Sequence, residues 1–264
     1  MRLSYLIPAF YLCFCQAIFA QTSIKLTNGE WEPFLSEFSY QYGVDSHVVT
    51  EAFKLEGIKV EWGFFPWKRS YQLAKNGDVW HGSAAWWPSE ETKADFLVSD
   101  PISKTSFVFF HLKTFTFDWQ SLSDLKGLRI GGTLEYDYGT EFMEAMNEKR
   151  INVELVSSDE LNYKKLINDR IDIFPNDLLV GYSQIRNSLL PETAKKFTHH
   201  SLQFEKTTLH LILSKNNKNS KYFMDKFNSG LKKLKSSGRF SNMFKDLDKG
   251  KYDKQNVKWR PQND

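Results

Sequence analysis

The segment at residues 63–101 constrains the fold more than any other part of the sequence. It contains Pro66-Trp67-Lys68-Arg69 and Trp86-Trp87-Pro88, in which large rings stand beside prolines and charged residues. A buried core has little use for such mixtures, because a charge that leaves water without a partner costs free energy. Proline and glycine also favour turns. The segment therefore predicts loops that leave a sheet, with flat rings and polar groups directed towards a cleft.

Apolar patterns around this segment predict alternating strands and helices. Alternating apolar residues predict strands at residues 24–27 and 58–62. Between them, residues 48–55 follow helical spacing and Gly57 ends the helix. Such alternation is typical of a largely parallel sheet with helices on its faces. We therefore predict an α/β fold.

A second α/β unit is predicted further along the chain. Strand patterns at residues 128–130, 153–156 and 171–174 alternate with helical patterns. Residues 208–213 predict a strand that returns to the first unit. The continuous apolar run at residues 107–111 predicts a buried strand before the second unit begins.

The first 20 residues are typical of a secretion signal. Arg2 supplies a positive charge, residues 3–19 are almost entirely apolar, and Ala20 offers a small residue for cleavage before Gln21. The alternative is a membrane anchor, but the apolar run is short for a span and contains Gln16. We expect cleavage near Ala20 and a mature chain in the periplasm of a host with two membranes.

Cysteine usage and charge exclude several classes of function. Cys13 and Cys15 both lie in the signal, so the mature chain has no disulfide, no thiolate nucleophile and no cysteine-metal site. The formal net charge of +3 gives no argument for a nucleic-acid partner. His199 and His200 are adjacent on a predicted strand, so they point to opposite faces and do not predict a metal site. We expect no cofactor.

Several motifs resemble, in order and spacing, the bacterial extracellular solute-binding proteins of family 3, the periplasmic polar amino-acid-binding proteins of ABC transporters. They are Pro66-Trp67-x-Arg69, Gly82-Ser83, Asp95-Phe96 leading to Ser99-Asp100-Pro101, and Asp124-Leu125-Lys126-Gly127. The resemblance covers nearly all of the mature chain. It implies a two-lobed periplasmic-binding-protein-like fold (type II), with two connecting strands and a ligand cleft between the lobes.

The resemblance also implies the domain boundaries. We expect the chain to cross between lobes near residues 111–117 and 201–209. The end of the chain is polar and is expected to be loose, although Trp259 can dock. The expected segments are a signal at 1–20, a discontinuous first lobe at 21–112 and 206–250, a second lobe at 113–205 and a polar tail at 251–264.

Candidate ligand contacts come from the aromatic loops and from the resemblance. Rings stack on flat ligands and bind cations by their faces. The amides and hydroxyl of Gly131-Gly132-Thr133 can bind an anion. The family's second-lobe carboxylate, which pairs with a ligand amine, corresponds to Asp177, whose alternative role is a helix N-cap. Arg69 either reaches the cleft or pairs with Glu32. The candidate ligand-binding residues are Trp31, Phe34, Trp67, Arg69, Ser83, Trp86, Thr133, Tyr136 and Asp177.

One departure from the family concerns the arginine that holds a ligand α-carboxylate shortly before the Asp-Phe block. Glu90 or Glu91 occupies its place here. An acid repels a carboxylate, whereas arginine binds it through two parallel hydrogen bonds. Lys93 is offset and lacks the forked geometry. The alternative for both glutamates is a solvated helix start. The departure predicts that ordinary zwitterionic amino acids are poor ligands and that an amine suits the cleft better.

The leading hypothesis is a periplasmic solute-binding protein that captures a small polar ligand, amino-acid-like or amine-bearing, by lobe closure. It would deliver the ligand to an inner-membrane permease or to a sensor, each a separate chain, and it would act as a monomer without catalysis. One alternative is a lyase or dehydratase on the same scaffold that uses cleft carboxylates such as Glu32 or Asp177. Another is a non-transport relative that acts through protein contacts alone.

Overall fold

A computed structural model describes residues 22–134 and 136–253. The first part of the chain alternates strands and helices as predicted. Its elements are β1 (Ser23–Asn28), α1 (Val44–Lys54), β2 (Lys59–Phe64), α2 (Trp67–Asn76), β3 (Gly82–Trp86), α3 (Glu90–Asp95) and β4 (Phe96–Leu112).

The remaining elements form the second α/β unit and the return to the first. The second unit contains β5 (Ile130–Thr133), α4 (Thr140–Asn147), β6 (Val153–Val156), α5 (Asp159–Ile167), β7 (Phe174–Asp177), α6 (Leu178–Ser188), α7 (Pro191–Ala194) and β8 (Phe197–His199). The return consists of β9 (Phe204–Ser214), α8 (Ser220–Ser236) and α9 (Arg239–Asp248). Short 3-10 helices span Tyr40–Tyr42 and Leu122–Leu125.

The larger sheet has the strand order β2-β1-β3-β9-β4-β7, and β8 also pairs with β4. β1 runs parallel to β2 and β3, whereas β4 and β9 pair antiparallel. A smaller parallel sheet joins β5 to β6. The α/β prediction is confirmed. The sheet is mixed rather than largely parallel, because the two strands that connect the units run in opposite directions.

β4 is 17 residues long and passes from one core to another. Ile102 packs in a first core with β1, α1 and α8, whereas Phe107 and Phe109 pack in a second core with β5 and α4. The first crossing therefore lies within β4, earlier than the expected lobe boundary at Leu112. The apolar run of β4 showed that the strand is buried but not which core buries it.

Helix α8 packs closely on α1 in the first core. A side-chain carbon at Gly230 would lie 2.0 Å from the carbonyl oxygen of Ala52, so only glycine allows this approach. The apolar face of α8, with Phe223, Phe227 and Leu231, is buried.

The described residues beyond α9 are packed rather than loose, which corrects the expectation for the start of the polar tail. Tyr252 is fully buried and its hydroxyl lies 2.7 Å from Nδ1 of His47. Asp253 accepts two hydrogen bonds from the Arg186 guanidinium on α6. Trp259 and the expected signal lie outside the described residues. Within the described residues, no helix has the length and apolar character needed to cross a bilayer.

Candidate functional site

A cavity of about 650 Å³ lies between the two cores. The loop after β1, helix α2, strand β3 and the start of α3 supply one wall. The other wall comes from β4 and from the loop after β5. The lining residues are Trp31, Trp67, Lys68, Tyr71, Gln72, Ala85, Trp86, Trp87, Ser89, Glu91, Thr92, Phe107, Tyr136 and Asp137.

The first-lobe wall is built from rings that contact one another. Trp86 meets Trp67 edge to face at 5.3 Å between ring centroids, and it meets Tyr71 at 5.2 Å. Gly29 allows this arrangement, because a side-chain carbon at that position would lie 2.5 Å from Cε2 of Trp67. The absence of a side chain at Gly29 therefore leaves the space that the Trp67 indole occupies.

A bulge in β3 turns two tryptophans towards the cavity. The pairing of β3 with β9 shifts register between Ser83 and Trp86. Within the shift, Ala85 adopts a left-handed backbone with φ of 59°, which is unfavourable for a residue with a side chain. Bulges commonly re-aim side chains next to functional sites. Here the bulge brings Trp86 and Trp87 into the same lining.

Ser83 lies behind the first-lobe wall and does not line the cavity. Its side chain is fully buried. The Trp86 indole donates to Ser83 Oγ at 2.7 Å, and Ser83 Oγ donates to the carbonyl of Thr27 at 2.9 Å. The predicted ligand contact at Ser83 is therefore a support for the orientation of Trp86.

The second-lobe wall depends on one buried carboxylate. Asp159 accepts hydrogen bonds from four side chains, which are Thr133, Tyr136, Asn176 and Gln184. This network fixes the loop that carries Tyr136 and Asp137 into the cavity. Burial, and secondly the charge of Asp159, raise the pKa of Tyr136 well above its usual value. Tyr136 is therefore a neutral hydroxyl at all physiological pH values.

Thr133 has no group left for an anion. Its backbone N–H donates to the Tyr138 hydroxyl at 2.7 Å, and its own hydroxyl donates to Asp159. Thr133 is buried and does not line the cavity. The anion-binding role considered for Gly131-Gly132-Thr133 has no support in this geometry.

Asp177 is 1% exposed and lies outside the cavity lining. One of its oxygens accepts the backbone N–H groups of Leu179 and Val180, which makes it the N-cap of α6. The other accepts the Thr105 hydroxyl and the Ser106 N–H from β4. Of the two roles considered for Asp177, these bonds account for the cap. They leave the ligand contact unsupported.

Asp45 contacts the same part of β4 from the first lobe. Ser103 Oγ donates to its Oδ2 at 2.8 Å, and Oδ1 has no hydrogen-bond partner in the described part of the chain. Burial raises the pKa of Asp45 to about 7, together with a smaller contribution from the charge of Asp177 and against the hydrogen bond from Ser103. β4 is thus held where it joins the lobes by one buried carboxyl from each side.

Two further candidates lie away from the cavity. Phe34 is fully buried in the first core, 5.0 Å from the Trp31 ring. Arg69 is exposed on α2, and its guanidinium lies 5.2 Å from the centroid of the Phe65 ring. Glu32, the partner considered for Arg69, instead accepts hydrogen bonds from Ser39 and Asn187.

The charged lining residues are Lys68, Glu91 and Asp137. Glu90, in contrast, is exposed and pairs with Lys93 at 2.8 Å, as expected for a solvated helix start. The lining therefore has more acid than base and contains no arginine. Within the described residues, no group of three or more His, Cys, Asp or Glu side chains is placed to hold a metal ion.

Of the candidate ligand-binding residues, the structure places Trp31, Trp67, Trp86 and Tyr136 in the cavity lining, and their contact with a ligand stays a prediction. Sequence reasoning missed the other lining residues. Tyr71 follows Trp67 by four positions, so it shares a helix face with it and was detectable. Asp137 lies on the loop after β5, directly after the candidate residue Tyr136. Glu91 was noted only as a replacement for the missing arginine.

Known proteins resemble this chain in structure but not in detectable sequence. No family model matches the sequence, and no curated protein matches it. The ligand-binding core of GluR0 from Nostoc punctiforme, in complex with L-glutamate, superposes with a TM-score of 0.65 at 19% identity, over 85% of this chain and 98% of that one.

Two other solved structures have the same architecture. The amino-acid ABC transporter substrate-binding protein AbpA from Streptococcus pneumoniae, bound to L-arginine, has a TM-score of 0.66 at 16% identity, over 89% of this chain and 98% of that one. A histidine kinase sensor domain with similarity to periplasmic binding proteins has a TM-score of 0.67 at 13% identity, over 86% and 96%. The chain therefore has the two-lobed periplasmic-binding-protein-like fold. The resemblance to family 3 solute-binding proteins is confirmed at the level of fold.

Proposed function

We propose that this chain is a solute-binding protein whose cleft takes a small amine-bearing ligand without a carboxylate. The observation that supports this most is the composition of the cavity, which combines rings on one wall with Glu91 and Asp137 on opposite walls. Aromatic faces attract a cation by about 0.5–2 kcal/mol each, depending on desolvation. An ammonium held between the two carboxylates would favour lobe closure, because each lobe supplies one of them.

The groups at the family's carboxylate-binding positions are missing or occupied, and Lys68 is the one cation in the described lining. Glu90 or Glu91 stands where the family has arginine, and Glu90 pairs with Lys93. The Thr133 N–H already donates to Tyr138, and the Ser83 hydroxyl already serves Trp86. A ligand carboxylate would therefore lose its water without gaining charge-assisted partners from these positions. The neighbours described with glutamate and arginine do not settle the ligand of this chain, because they share only its fold.

Export, delivery and oligomeric state belong to the same proposal. The neighbours' descriptions include a transporter's substrate-binding protein and a kinase sensor domain, which supports either a permease or a sensor as the separate receiving chain. We propose a periplasmic monomer that binds and releases its ligand unchanged. The carboxylates considered for a lyase, Glu32 and Asp177, do not line the cavity.

Matched ligand pairs test the proposal. Calorimetry would compare three amines with the amino acids from which they differ by one carboxylate: tryptamine with tryptophan, putrescine with ornithine, and agmatine with arginine. We expect at least one amine to bind at least about tenfold more tightly than its amino acid, since a desolvated and unpartnered carboxylate costs more than about 1.4 kcal/mol. Sub-micromolar binding of an amino acid, with no gain from the amine, would overturn the proposal.

Three variants connect the ligand to the cavity. Glu91→Gln and Asp137→Asn should each weaken binding of the preferred amine about tenfold to a hundredfold, because each removes a charge-assisted hydrogen bond of about 1.5–3 kcal/mol. Glu90→Gln is the control, since Glu90 has the same charge on the same helix but lies outside the lining. If all three variants bind the amine as tightly as the unchanged protein does, the ligand does not contact Glu91 or Asp137 and the proposed site is wrong.

A further inference from the structure

The second lobe has an open sheet edge. β6 pairs with β5, and within the described residues it has no strand on its other side. Glu154 and Leu155 in the middle of β6 are exposed. An exposed edge presents backbone N–H and C=O groups that another chain can pair with.

Three exposed leucines lie in or near this small sheet. Leu134, Leu155 and Leu161 are 49%, 42% and 39% exposed, although soluble proteins bury most leucines. Leu134 and β6 are adjacent, because the Leu134 N–H donates to the Val156 carbonyl at 2.8 Å. Leu155 thus lies in the open edge strand itself, Leu161 lines the groove beside that strand, and Leu134 follows the paired strand β5.

A basic groove of about 320 Å³ lies between β6 and α5. Its lining residues are Val156, Leu161, Lys164, Lys165, Asn168 and Arg170. Lys165 is neutralised by Glu154 at 2.6 Å. In the described part of the chain, neither Lys164 nor Arg170 has a carboxylate within ion-pair distance. Among the described residues, Lys164 and Arg170 are therefore two cations without a carboxylate partner, and they lie beside the apolar side chains of Val156 and Leu161.

We propose that the β6 edge, the leucines and the basic groove together form a docking surface for an extended acidic segment of a partner protein. The segment adds as a strand to β6, where main-chain hydrogen bonds hold it and alternate side chains meet the surface. Its carboxylates lie against Lys164 and Arg170, and its apolar residues cover the leucines. A small free anion uses only the cations, so it does not explain the open edge or the leucines. None of these residues lines the ligand cavity, and the surface is therefore independent of the ligand proposed above.

An array of hexapeptides with alternating apolar and charged residues tests this surface. The charged positions are acidic in one series, basic in the second and replaced by serine in the third. We expect retention of the acidic series alone. Lys164→Glu combined with Arg170→Glu should reduce that retention about tenfold or more, since a buried interfacial charge pair contributes more than one on the rim. Lys218→Glu combined with Lys245→Glu, on the first lobe, changes the net charge equally and should leave retention intact.

Hydrogen exchange with the best-retained acidic peptide identifies the docking mode. Amides of Val153–Val156 should exchange more slowly when the peptide is bound. Retention without charge preference, retention unchanged in the Lys164→Glu/Arg170→Glu variant, or binding without protection of β6 would each overturn the proposal. Unchanged melting temperatures of the two double variants confirm that both are folded.

Discussion

The two walls of the cleft are built in different ways. The first-lobe wall consists of rings in mutual contact, supported by a glycine at Gly29 and a bulge at Ala85. The second-lobe wall consists of a loop held by hydrogen bonds to the buried Asp159 carboxylate. The first-lobe wall therefore depends on the packing of rings, and the second-lobe wall depends on hydrogen bonds to one buried carboxylate.

This difference predicts different responses to substitution. A packed apolar wall loses stability in proportion to the volume that is misplaced. When the shared acceptor of a buried polar network is removed, several donors lose their hydrogen bonds together, so a single substitution causes a large loss of stability. Variants in the two walls should therefore differ in size of effect as well as in kind.

The largest effect is expected from Asp159→Ala in the second wall. It removes the acceptor of four side-chain donors, two of them on the buried residues Thr133 and Asn176. A hydrogen bond to a charged group contributes about 1.5–3 kcal/mol, so we expect a loss of about 3–6 kcal/mol. Urea unfolding measures the loss. Asp169→Ala is the control on the same lobe, since Asp169 is 90% exposed and its pair with Arg129 should contribute under about 1 kcal/mol. A loss below about 1 kcal/mol for both would show that the network does not hold the wall.

Gly29→Ala should have the next largest effect, in the first wall. The new carbon meets the Trp67 ring, so the ring or the backbone must move, at about 1–3 kcal/mol. The same change in a Trp67→Ala background should cost much less, because the colliding ring is gone. A double-mutant cycle by urea unfolding measures this coupling. Equal costs in the two backgrounds would mean that Gly29 has another role.

Ser83→Ala should destabilise by about 1–2 kcal/mol, because it removes the acceptor of the Trp86 N–H and a donor to the buried Thr27 carbonyl. Near-ultraviolet circular dichroism should also change, since the Trp86 indole loses its orientation. Ser201→Ala, at an exposed serine, is the comparison and should change neither quantity. An unaltered tryptophan signal in Ser83→Ala would separate Ser83 from the wall.

Ala85→Gly should have the smallest effect, and with the opposite tendency. Glycine relieves about 1–2 kcal/mol of left-handed strain but adds about 0.4–1 kcal/mol of unfolded-state entropy. We expect a net gain of up to about 1 kcal/mol in thermal unfolding. Ala84→Gly, at the neighbouring buried position with an ordinary backbone, should instead lose about 0.5–1 kcal/mol. A loss at both positions would mean that the bulge stores no strain.

The fold and much of the first wall could be predicted because their signals are local. Strand and helix periods, and rings beside proline and glycine, are visible within a few residues. The bulge at Ala85 was not predictable, since alanine gives no sign of a positive φ. The course of β4 was not predictable either, because an apolar run does not reveal which core it enters.

The charged part of the site could not be predicted, because it depends on contacts between distant segments. Asp137 and Glu91 are far apart in sequence, and they line the same cavity only because the two lobes face each other in the fold. Asp177 has the sequence pattern of both a ligand contact and a helix cap, and only its bonds to β4 and α6 distinguish them. The hydrogen bond from the Thr133 hydroxyl to Asp159 was not predictable either, because no local sequence pattern connects these two residues.

The carboxyl of Asp45 beside the connecting strand makes folding a proton-uptake reaction. Its pKa rises from 3.8 to about 7 on burial, so the folded chain holds a proton there that the unfolded chain releases. This contribution to stability is complete below pH 3.8 and is lost as the pH rises through about 7. Asp45→Asn, which cannot ionise, should flatten this part of the pH profile in urea unfolding between pH 4 and pH 8. In this chain, the strand that joins the two lobes therefore lies beside a carboxyl whose protonation follows the surrounding pH.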